Sequence, residues 1–184
     1  MNKQDVVAVV LGGPSSEAEV SRRTGGAIAE ALREKGYNAV EVELVPEKLV
    51  EQLREIDAKV VFNAVHGMYG EDGRLQSILE AIKMPYTGSG VLASAVAMDK
   101  VATKRFLISA NISTPKCLMY NKRFDNDMAK IEKEIIETFG VPVVIKAADQ
   151  GSSIGVEIVK VEADVAAALE NTFKYSDLVL VEEC

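Results

Sequence analysis

Residues 6–21 read VVAVVLGGPSSEAEVS, a short apolar run followed by a Gly-Gly-Pro turn and the start of an amphipathic pattern. The apolar run predicts a buried strand, and the glycines and proline predict the turn that ends it. Ser16 and Glu19 have the Ser-x-x-Glu spacing of a capping box, which predicts that a helix begins here. The stretch therefore encodes a strand, a tight turn and a helix, which is the first half of a βαβ unit.

Apolar runs and amphipathic patterns keep alternating as far as about residue 98. Strands are predicted at residues 39–44, 59–65 and 84–86, and helices at residues 49–56, 75–82 and 91–98. Such alternation predicts an α/β fold with a parallel sheet and helices on both faces. Ligands in such sheets bind at the carboxyl ends of the strands, so the loops that follow the strands are the candidate site.

The pattern changes near Asp99, which predicts two domains, residues 1–97 and 98–184. The second domain has predicted helices at residues 100–110, 128–139 and 164–173, and predicted strands at residues 117–120, 143–146, 155–159 and 178–182. Its strands and helices therefore also mix, in a different order from those of the first domain.

The composition is that of an ordinary globular protein with an acidic balance. The chain has 184 residues, with 21 Lys and Arg against 28 Asp and Glu, for a net charge of −7. This charge excludes a general nucleic-acid binder and confines any bound polyanion to a local pocket of lysines and backbone amides. No apolar run approaches the roughly 20 residues of a membrane helix, so no membrane partner is expected. Two cysteines are too few for a disulfide framework, and the cytoplasm is the expected compartment.

Two loops of the first domain carry candidate binding residues. Glu17 falls in the first turn of the predicted helix, where the helix dipole favours a carboxylate that could receive a substrate ammonium. The turn before it lacks the G-x-G-x-x-G spacing of a dinucleotide site, and a helix cap accounts for Ser16. HGMYGEDG at residues 66–73 places His66, the one histidine of the sequence, among three glycines and two acids, which suits a tight loop around a small ligand. A helix cap accounts for Asp72 in that loop.

Lysines mark the candidate site of the second domain. Lys146 ends a predicted strand shortly before a loop that contains Gly151, Ser152 and Ser153. Such small residues leave backbone amides open, so the loop can fold over phosphate oxygens while the lysine supplies a point charge. Lys100, at the start of a predicted helix, is a second candidate. The alternative explanation is a flexible hairpin beside ordinary surface lysines.

Together these segments resemble the D-alanine–D-alanine ligases of the ATP-grasp superfamily. The resemblance rests on LGGPSSEAEVS at 11–21, HGMYGEDG at 66–73 with the nearby Leu75 and Gln76, YTGSGV at 86–91, MDK at 98–100, and Lys146 with GSSIGV at 151–156. It runs from the first strand to the last residue, and HG-x-x-GEDG is its most specific part. It implies a Rossmann-like, pre-ATP-grasp domain followed by the first lobe of an ATP-grasp domain.

The resemblance also implies a reaction and roles for particular residues. Members of the family use ATP to join two D-alanines, through an acyl phosphate, into the dipeptide that ends the peptidoglycan stem. Glu17 then holds the ammonium of the first D-alanine and His66 lies beside its carboxylate, while Glu17 and Ser152 share a hydrogen-bond network with a tyrosine on a later loop. The implied ATP-binding residues are Lys100, Lys146, Gly151, Ser152, Ser153 and Glu182, the last of them at the adenine amino group.

The chain departs from the family pattern in two ways. Ala147 stands where the family usually has proline, and family members continue for roughly another hundred residues, a large share of a typical domain. The resemblance places the tyrosine loop, a phosphate-binding arginine and the magnesium ligands in that continuation. We therefore expect a fragment with no metal ligands of its own, magnesium bound beyond Cys184, and no turnover from these 184 residues alone. The implied assembly is a homodimer through the first domain.

Two other functions stay open on the sequence. A D-alanine–D-lactate ligase resembles this chain closely, and the residue that separates the two activities lies on the later loop. A non-catalytic module that binds a nucleotide or D-alanine is the alternative of another class.

Overall fold

The computed structural model describes residues 2–151 and 154–184, so the predicted phosphate-binding residues Ser152 and Ser153 lie outside the described residues. The chain divides into two compact units, one ending at Ala97 and the other beginning at Met98. Each unit has its own sheet and its own apolar core. Within the described ranges, no helix combines the length and the apolar character needed to cross a bilayer.

The first unit is built on a parallel sheet. Its strands are β1 (Val6–Leu11), β2 (Asn38–Glu43) and β3 (Ala58–Asn63), in the order β2-β1-β3. The helices that connect and follow them are α1 (Ala18–Glu34), α2 (Leu49–Glu55), α3 (Arg74–Ala81) and α4 (Val91–Met98). The strand predicted at residues 84–86 is wrong, because Tyr86 makes only an isolated parallel bridge to Val61.

The central strand β1 is covered by helices on both faces of the sheet. Val7 to Leu11 of β1 are all buried, as expected of a parallel strand that is covered on both sides. On one face Val10 packs in a cluster with Leu53 of α2 and Leu79 of α3. On the other face Val9 packs in a cluster with Ala29 of α1. The parallel sheet with helices on both faces is thus confirmed.

Helix α1 begins without the predicted capping box. It starts at Ala18, its N-cap is Glu17, and no side chain caps it. The backbone N–H of Glu17 donates instead to Ser15 Oγ at 3.0 Å. The side-chain hydrogen bond at this turn therefore comes from Ser15, the residue before the predicted cap. Asp72, by contrast, accepts the first backbone N–H of α3, that of Arg74, at 3.0 Å.

The second unit is built on an antiparallel sheet. Its strands are β4 (Cys117–Asn121), β5 (Val143–Ala147), β6 (Val156–Val159) and β7 (Leu178–Glu183), in the order β4-β7-β5-β6. Its helices are α5 (Lys100–Ser109), α6 (Met128–Phe139) and α7 (Val165–Thr172), with a short 3₁₀ turn before the last of them.

Alternation along β7 determines which side chains face which helices. Val179 and Val181 enter the core that contains residues of α6 and α7. Leu180 points to the other face, where it packs with Val101 of α5. Because side chains alternate along a strand, Glu182 shares the α5 face with Leu180, and Lys146 shares it from β5.

Candidate functional site

Two loops converge at the carboxyl end of the parallel sheet. The chain leaves β1 toward β2 on one side and later enters β3 on the other, so β1 and β3 flank the switch point where ligands bind in such sheets. Ser21 of α1 joins the two loops. Its Oγ accepts the backbone N–H of Gly12 at 2.8 Å, and its hydroxyl donates to the carbonyl of Ala64 at 2.7 Å.

Glu17 lies against the HGMYGEDG loop. A Cβ built on Gly67 would lie 2.7 Å from Glu17 Oε2 and 2.7 Å from Ser15 Oγ, and Gly67 has φ +67°. This φ lies in the left-handed region that favours glycine, and the close atoms are the ends of the Glu17 and Ser15 side chains. The structure therefore brings Glu17 from the first loop directly onto the loop that contains His66.

His66 is held between a helix and its own loop. Its Nε2 lies 3.3 Å from Thr24 Oγ1 on α1, and its Nδ1 lies 3.6 Å from Glu71 Oε1. The ring is half-buried and has polar neighbours at both nitrogens. These two neighbours place the ring at the same loop that contacts Glu17.

The HGMYGEDG loop is held from beneath by two amides. Asn63 Nδ2 donates to the carbonyl of Gly70 at 2.8 Å, and Gln76 Nε2 donates to the same carbonyl at 2.7 Å. A Cβ at Gly70 would overlap the carbonyl oxygen of Val65, which explains the glycine. Asn63 was not recognised in the sequence, although an amide that ends a buried strand next to a glycine loop was a usable signal.

A surface ion pair braces the first loop. Arg22 donates from Nη2 to Glu43 Oε1 at 2.7 Å, and Glu43 Oε1 also accepts the backbone N–H of Gly13 at 3.2 Å. The hydrogen bond from Arg22 holds the pKa of Glu43 below its ordinary value, against the effect of burial. The pair fixes the Gly-Gly turn from which Glu17 projects, although exposed pairs of this kind stabilise a fold little.

Glu182 lies between two lysines in the second unit. Its Oε1 is 2.6 Å from Lys104 Nζ, and its Oε2 is paired with Lys146 Nζ. Only 8% of the Glu182 side chain is exposed. Burial pushes the pKa of Glu182 upward, but the hydrogen bonds from Lys104 and Lys146 outweigh it and hold the pKa below the ordinary value. The structure thus joins two predicted site residues, Lys146 and Glu182, in one ion pair.

Lys104 also belongs to this cluster, although no sequence motif singles it out. Its side chain is 5% exposed, and its Nζ also donates to the carbonyl of Pro115. Lys100 and Lys104 are four residues apart on α5, so they lie on one face of the helix. That spacing was the available signal, but it does not reveal which acceptor the second lysine meets.

Lys100 closes the loop that follows β5. Its Nζ donates to the carbonyl of Ala147 at 3.1 Å and to that of Gln150 at 2.6 Å. Its pKa is lowered, first by burial and then by the nearby charge of Lys146. Lys100 therefore lies beside Lys146 and fixes the backbone immediately before Gly151, as a lysine at the base of a phosphate loop would.

The cluster combines three ammonium groups with one paired carboxylate. Lys100, Lys104 and Lys146 outnumber Glu182, although Asp99 and Asp149 lie near enough to Lys100 to offset part of its charge. In a chain of net charge −7, this cluster is a place where three ammonium groups come together, which is the side-chain chemistry that contacts phosphate oxygens. Across residues 2–151 and 154–184, no three His, Cys, Asp or Glu side chains are grouped to hold a metal ion. The resemblance places the magnesium ligands beyond Cys184, and that placement stays a prediction.

The Glu182 cluster predicts how stability depends on pH. Because the folded-state pKa lies below the ordinary 4.5, the contribution of Glu182 is present above that value and is lost as the pH falls through the folded-state pKa. Unfolding by denaturant, measured in steps from about pH 7 down to about pH 3, follows this loss. The variant Lys104→Met/Glu182→Gln lacks the titrating group and should lose less stability than the wild type over this range. An equal loss in both proteins would contradict the assignment.

Comparison with known proteins places both units in one family. The family described as D-ala D-ala ligase N-terminus matches residues 43–89, and the family described as D-ala D-ala ligase C-terminus matches residues 106–184. The D-alanine–D-alanine ligase of Moorella thermoacetica is 45% identical over 178 residues, which cover 96% of this chain and 57% of the relative. That of Pelotomaculum thermopropionicum is 44% identical over 179 residues, covering 96% and 56%. The chain spans a little over half the length of these relatives.

Solved structures agree with the sequence matches. The D-alanine–D-alanine ligase of Bacillus anthracis has a TM-score of 0.86 at 34% identity, covering 98% of this chain and 57% of that one. The Bacillus anthracis ligase complexed with ATP has a TM-score of 0.84 at 31% identity, covering 98% and 58%. The predicted architecture, a parallel-sheet domain followed by a lobe of an ATP-grasp domain, is confirmed. The chain belongs to the D-alanine–D-alanine ligase family.

Proposed function

We propose that the protein containing this chain joins two D-alanines at the expense of ATP, for the synthesis of peptidoglycan. The observation that carries the proposal is the convergence of Glu17 and the HGMYGEDG loop at the carboxyl end of the sheet, in a chain whose relatives are named D-alanine–D-alanine ligases. A non-catalytic binding module would not require both this loop pair and a lysine cluster in the second unit.

The proposed reaction has two steps. A carboxylate oxygen of the first D-alanine attacks the γ-phosphorus of ATP, the bond to ADP breaks, and an acyl phosphate forms. The amine of the second D-alanine then attacks the acyl carbon, phosphate leaves with the carboxylate oxygen, and the amine loses a proton. Phosphoryl transfer depends on positioning and on offsetting negative charge, which Lys100 and Lys146 are proposed to do. Magnesium supplies further charge neutralisation when it is bound.

The nucleotide is proposed to lie over the Glu182 cluster. The Lys146 side chain is 28% exposed, so its ammonium is not confined to the buried position beside Glu182 and can turn to a phosphate oxygen. Lys100 already fixes the carbonyls before Gly151, and the following loop with Ser152 and Ser153 is proposed to cover the phosphates. Glu182 is proposed to accept the amino group of adenine. A carboxylate has about four acceptor sites, so the lysines leave room for this bond.

The first D-alanine is proposed to lie at Glu17 and His66. Glu17 would receive the ammonium, and His66, oriented by Thr24 and Glu71, would lie beside the carboxylate. Glu17 and Ser152 are proposed to share a hydrogen-bond network with a tyrosine outside this chain. A homodimer through the first unit and a cytoplasmic location, where ATP is available, complete the proposal.

Glu17→Gln tests the amino-acid site. The substitution keeps the shape of the side chain and removes its charge, so the ammonium loses its ionic partner. We expect a higher KM for the more tightly bound D-alanine and a nearly unchanged KM for ATP, measured by steady-state kinetics of the full-length protein. Glu19→Gln makes the same chemical change two residues away on an exposed side chain and should change neither value. A raised KM for ATP with normal D-alanine kinetics would contradict the assignment.

Product analysis tests the reaction and its main alternative together. The full-length protein is incubated with ATP, magnesium and D-alanine, with and without D-lactate, and the products are identified by mass spectrometry. D-alanyl-D-alanine in both mixtures supports the proposal. D-alanyl-D-lactate as the main product would establish the lactate ligase, and no product with intact nucleotide binding would establish the binding module.

A further inference from the structure

Lys104 is a buried ammonium group to which the proposed reaction gives no role. It lies on α5 behind Glu182, with 5% of its side chain exposed. Its Nζ contacts Glu182 Oε1 at 2.6 Å and donates to the carbonyl of Pro115. Both partners are protein atoms, so the Lys104 ammonium is already engaged within the fold.

The two lysines that hold Glu182 differ in their freedom to leave it. Lys146 is 28% exposed, whereas Lys104 is 5% exposed. If Lys104 moved away, it would leave a buried charge without a partner, which is strongly unfavourable. Lys146 can exchange the carboxylate for a phosphate oxygen at much lower cost.

We propose that Lys104 is a positioning residue that keeps Glu182 ionised and in place for the amino group of the nucleotide base while Lys146 turns to the phosphates. This inference rests on the proposed nucleotide site. It gives the two lysines different roles: Lys104 is the permanent counter-ion of Glu182, and Lys146 is the exchangeable one.

The charges around Glu182 leave Lys104 as its lasting counter-ion. Lys104 contacts it from α5 and Lys146 from β5, Lys100 on α5 is near enough to interact with its charge, and Cys117 lies opposite it on β4. Lys100 is committed to two backbone carbonyls. Burial raises the pKa of the Cys117 thiol, which stays neutral and offers no charge. Once Lys146 contacts phosphate, Lys104 is the cation that still contacts the buried carboxylate.

The ionisation of Glu182 determines which nucleotide base it prefers as a hydrogen-bond donor. An ionised carboxylate only accepts hydrogen bonds, so it favours adenine, whose C6 amino group donates, over hypoxanthine, whose C6 carbonyl also accepts. A protonated or displaced Glu182 loses this preference. The ratio of the dissociation constants of inosine triphosphate and ATP therefore reports whether Glu182 is ionised and in place.

The experiment measures this ratio by calorimetry in the full-length protein at several pH values. Lys104→Met should lower the preference for ATP roughly tenfold or more, because a hydrogen bond to a charged group is lost, and the loss should grow as the pH falls. Lys104→Gln keeps a donor to Glu182 without the charge and should give an intermediate ratio. In a Glu182→Gln background, Lys104→Met should change the ratio no further, because an amide needs no counter-ion. Circular dichroism establishes that each variant is folded.

The outcomes separate this inference from the proposed function. An unchanged ratio in Lys104→Met at every pH, with normal ATP binding by the wild type, would overturn the inference alone. Equal weakening of both nucleotides would also overturn it, since a merely structural lysine would act in that way. A wild-type protein that binds neither nucleotide would overturn the proposed nucleotide site and this inference with it.

Discussion

Replacing Glu182 with leucine is expected to lower the free energy of unfolding by about 3–5 kcal/mol. The side chain of Lys104 is 5% exposed, so the substitution leaves its ammonium buried with no opposite charge. Lys146, which is more exposed, can turn to solvent and contributes less. Denaturant unfolding of the two proteins at neutral pH measures the difference.

Two controls make the Glu182 result specific. Lys104→Met/Glu182→Leu removes both buried charges and should recover most of the lost stability, because it is the unpaired charge that destabilises the fold. Glu137→Leu breaks the exposed pair with Lys133 and should change stability by less than about 1 kcal/mol. A double variant as unstable as Glu182→Leu would contradict the buried ion pair as the cause.

Lys146→Ala is expected to weaken ATP binding by about 1.5–3 kcal/mol, which is roughly 10- to 150-fold. The lysine supplies a charge-assisted contact in a chain that otherwise repels a polyanion. Calorimetric titration of the full-length protein with ATP measures the loss, and Lys100→Ala should act in the same direction. Lys160→Ala, which removes an exposed lysine outside the cluster, is the matched control and should bind ATP normally. Equal affinity in the wild type and in both cluster variants would refute the phosphate assignment.

The fold class could be predicted because it depends on local patterns. The run from Val7 to Leu11 is apolar at every position, which is typical of a central parallel strand and is what the structure shows. Alternation along β7 likewise determined the faces of Val181 and Glu182. Such patterns extend over only a few neighbouring residues, so they can be recognised in a single sequence.

Errors arose where neighbouring residues compete for the same role. Ser16 has the spacing of a capping residue, but the hydroxyl of Ser15 accepts the backbone N–H of Glu17 and the helix starts without a side-chain cap. Residues 84–86 have a short apolar pattern, yet Tyr86 pairs with β3 only at Val61. Hydrogen bonding of the folded backbone decided both cases, and residue type alone does not reveal it.

The sequence named candidate residues for the site, whose roles stay predictions, but it did not reveal their contacts. The loops with Glu17 and His66, and the lysines with Glu182, could be named from motifs and from the family resemblance. Lys104 could not, because its burial depends on Glu182, which is distant in sequence and adjacent only after β7 pairs with β4 and β5. This long-range strand pairing brings the charged groups of the cluster together.

The most direct test of the proposed ligase uses D-alanine labelled with ¹⁸O in its carboxylate. In the proposed reaction the carboxylate oxygen attacks phosphorus and then leaves with it, so the full-length protein should release one ¹⁸O in inorganic phosphate for each dipeptide made. Mass spectrometry of the phosphate and of the dipeptide gives this ratio. Dipeptide formed with unlabelled phosphate, or labelled phosphate without dipeptide, would contradict ligation through an acyl phosphate.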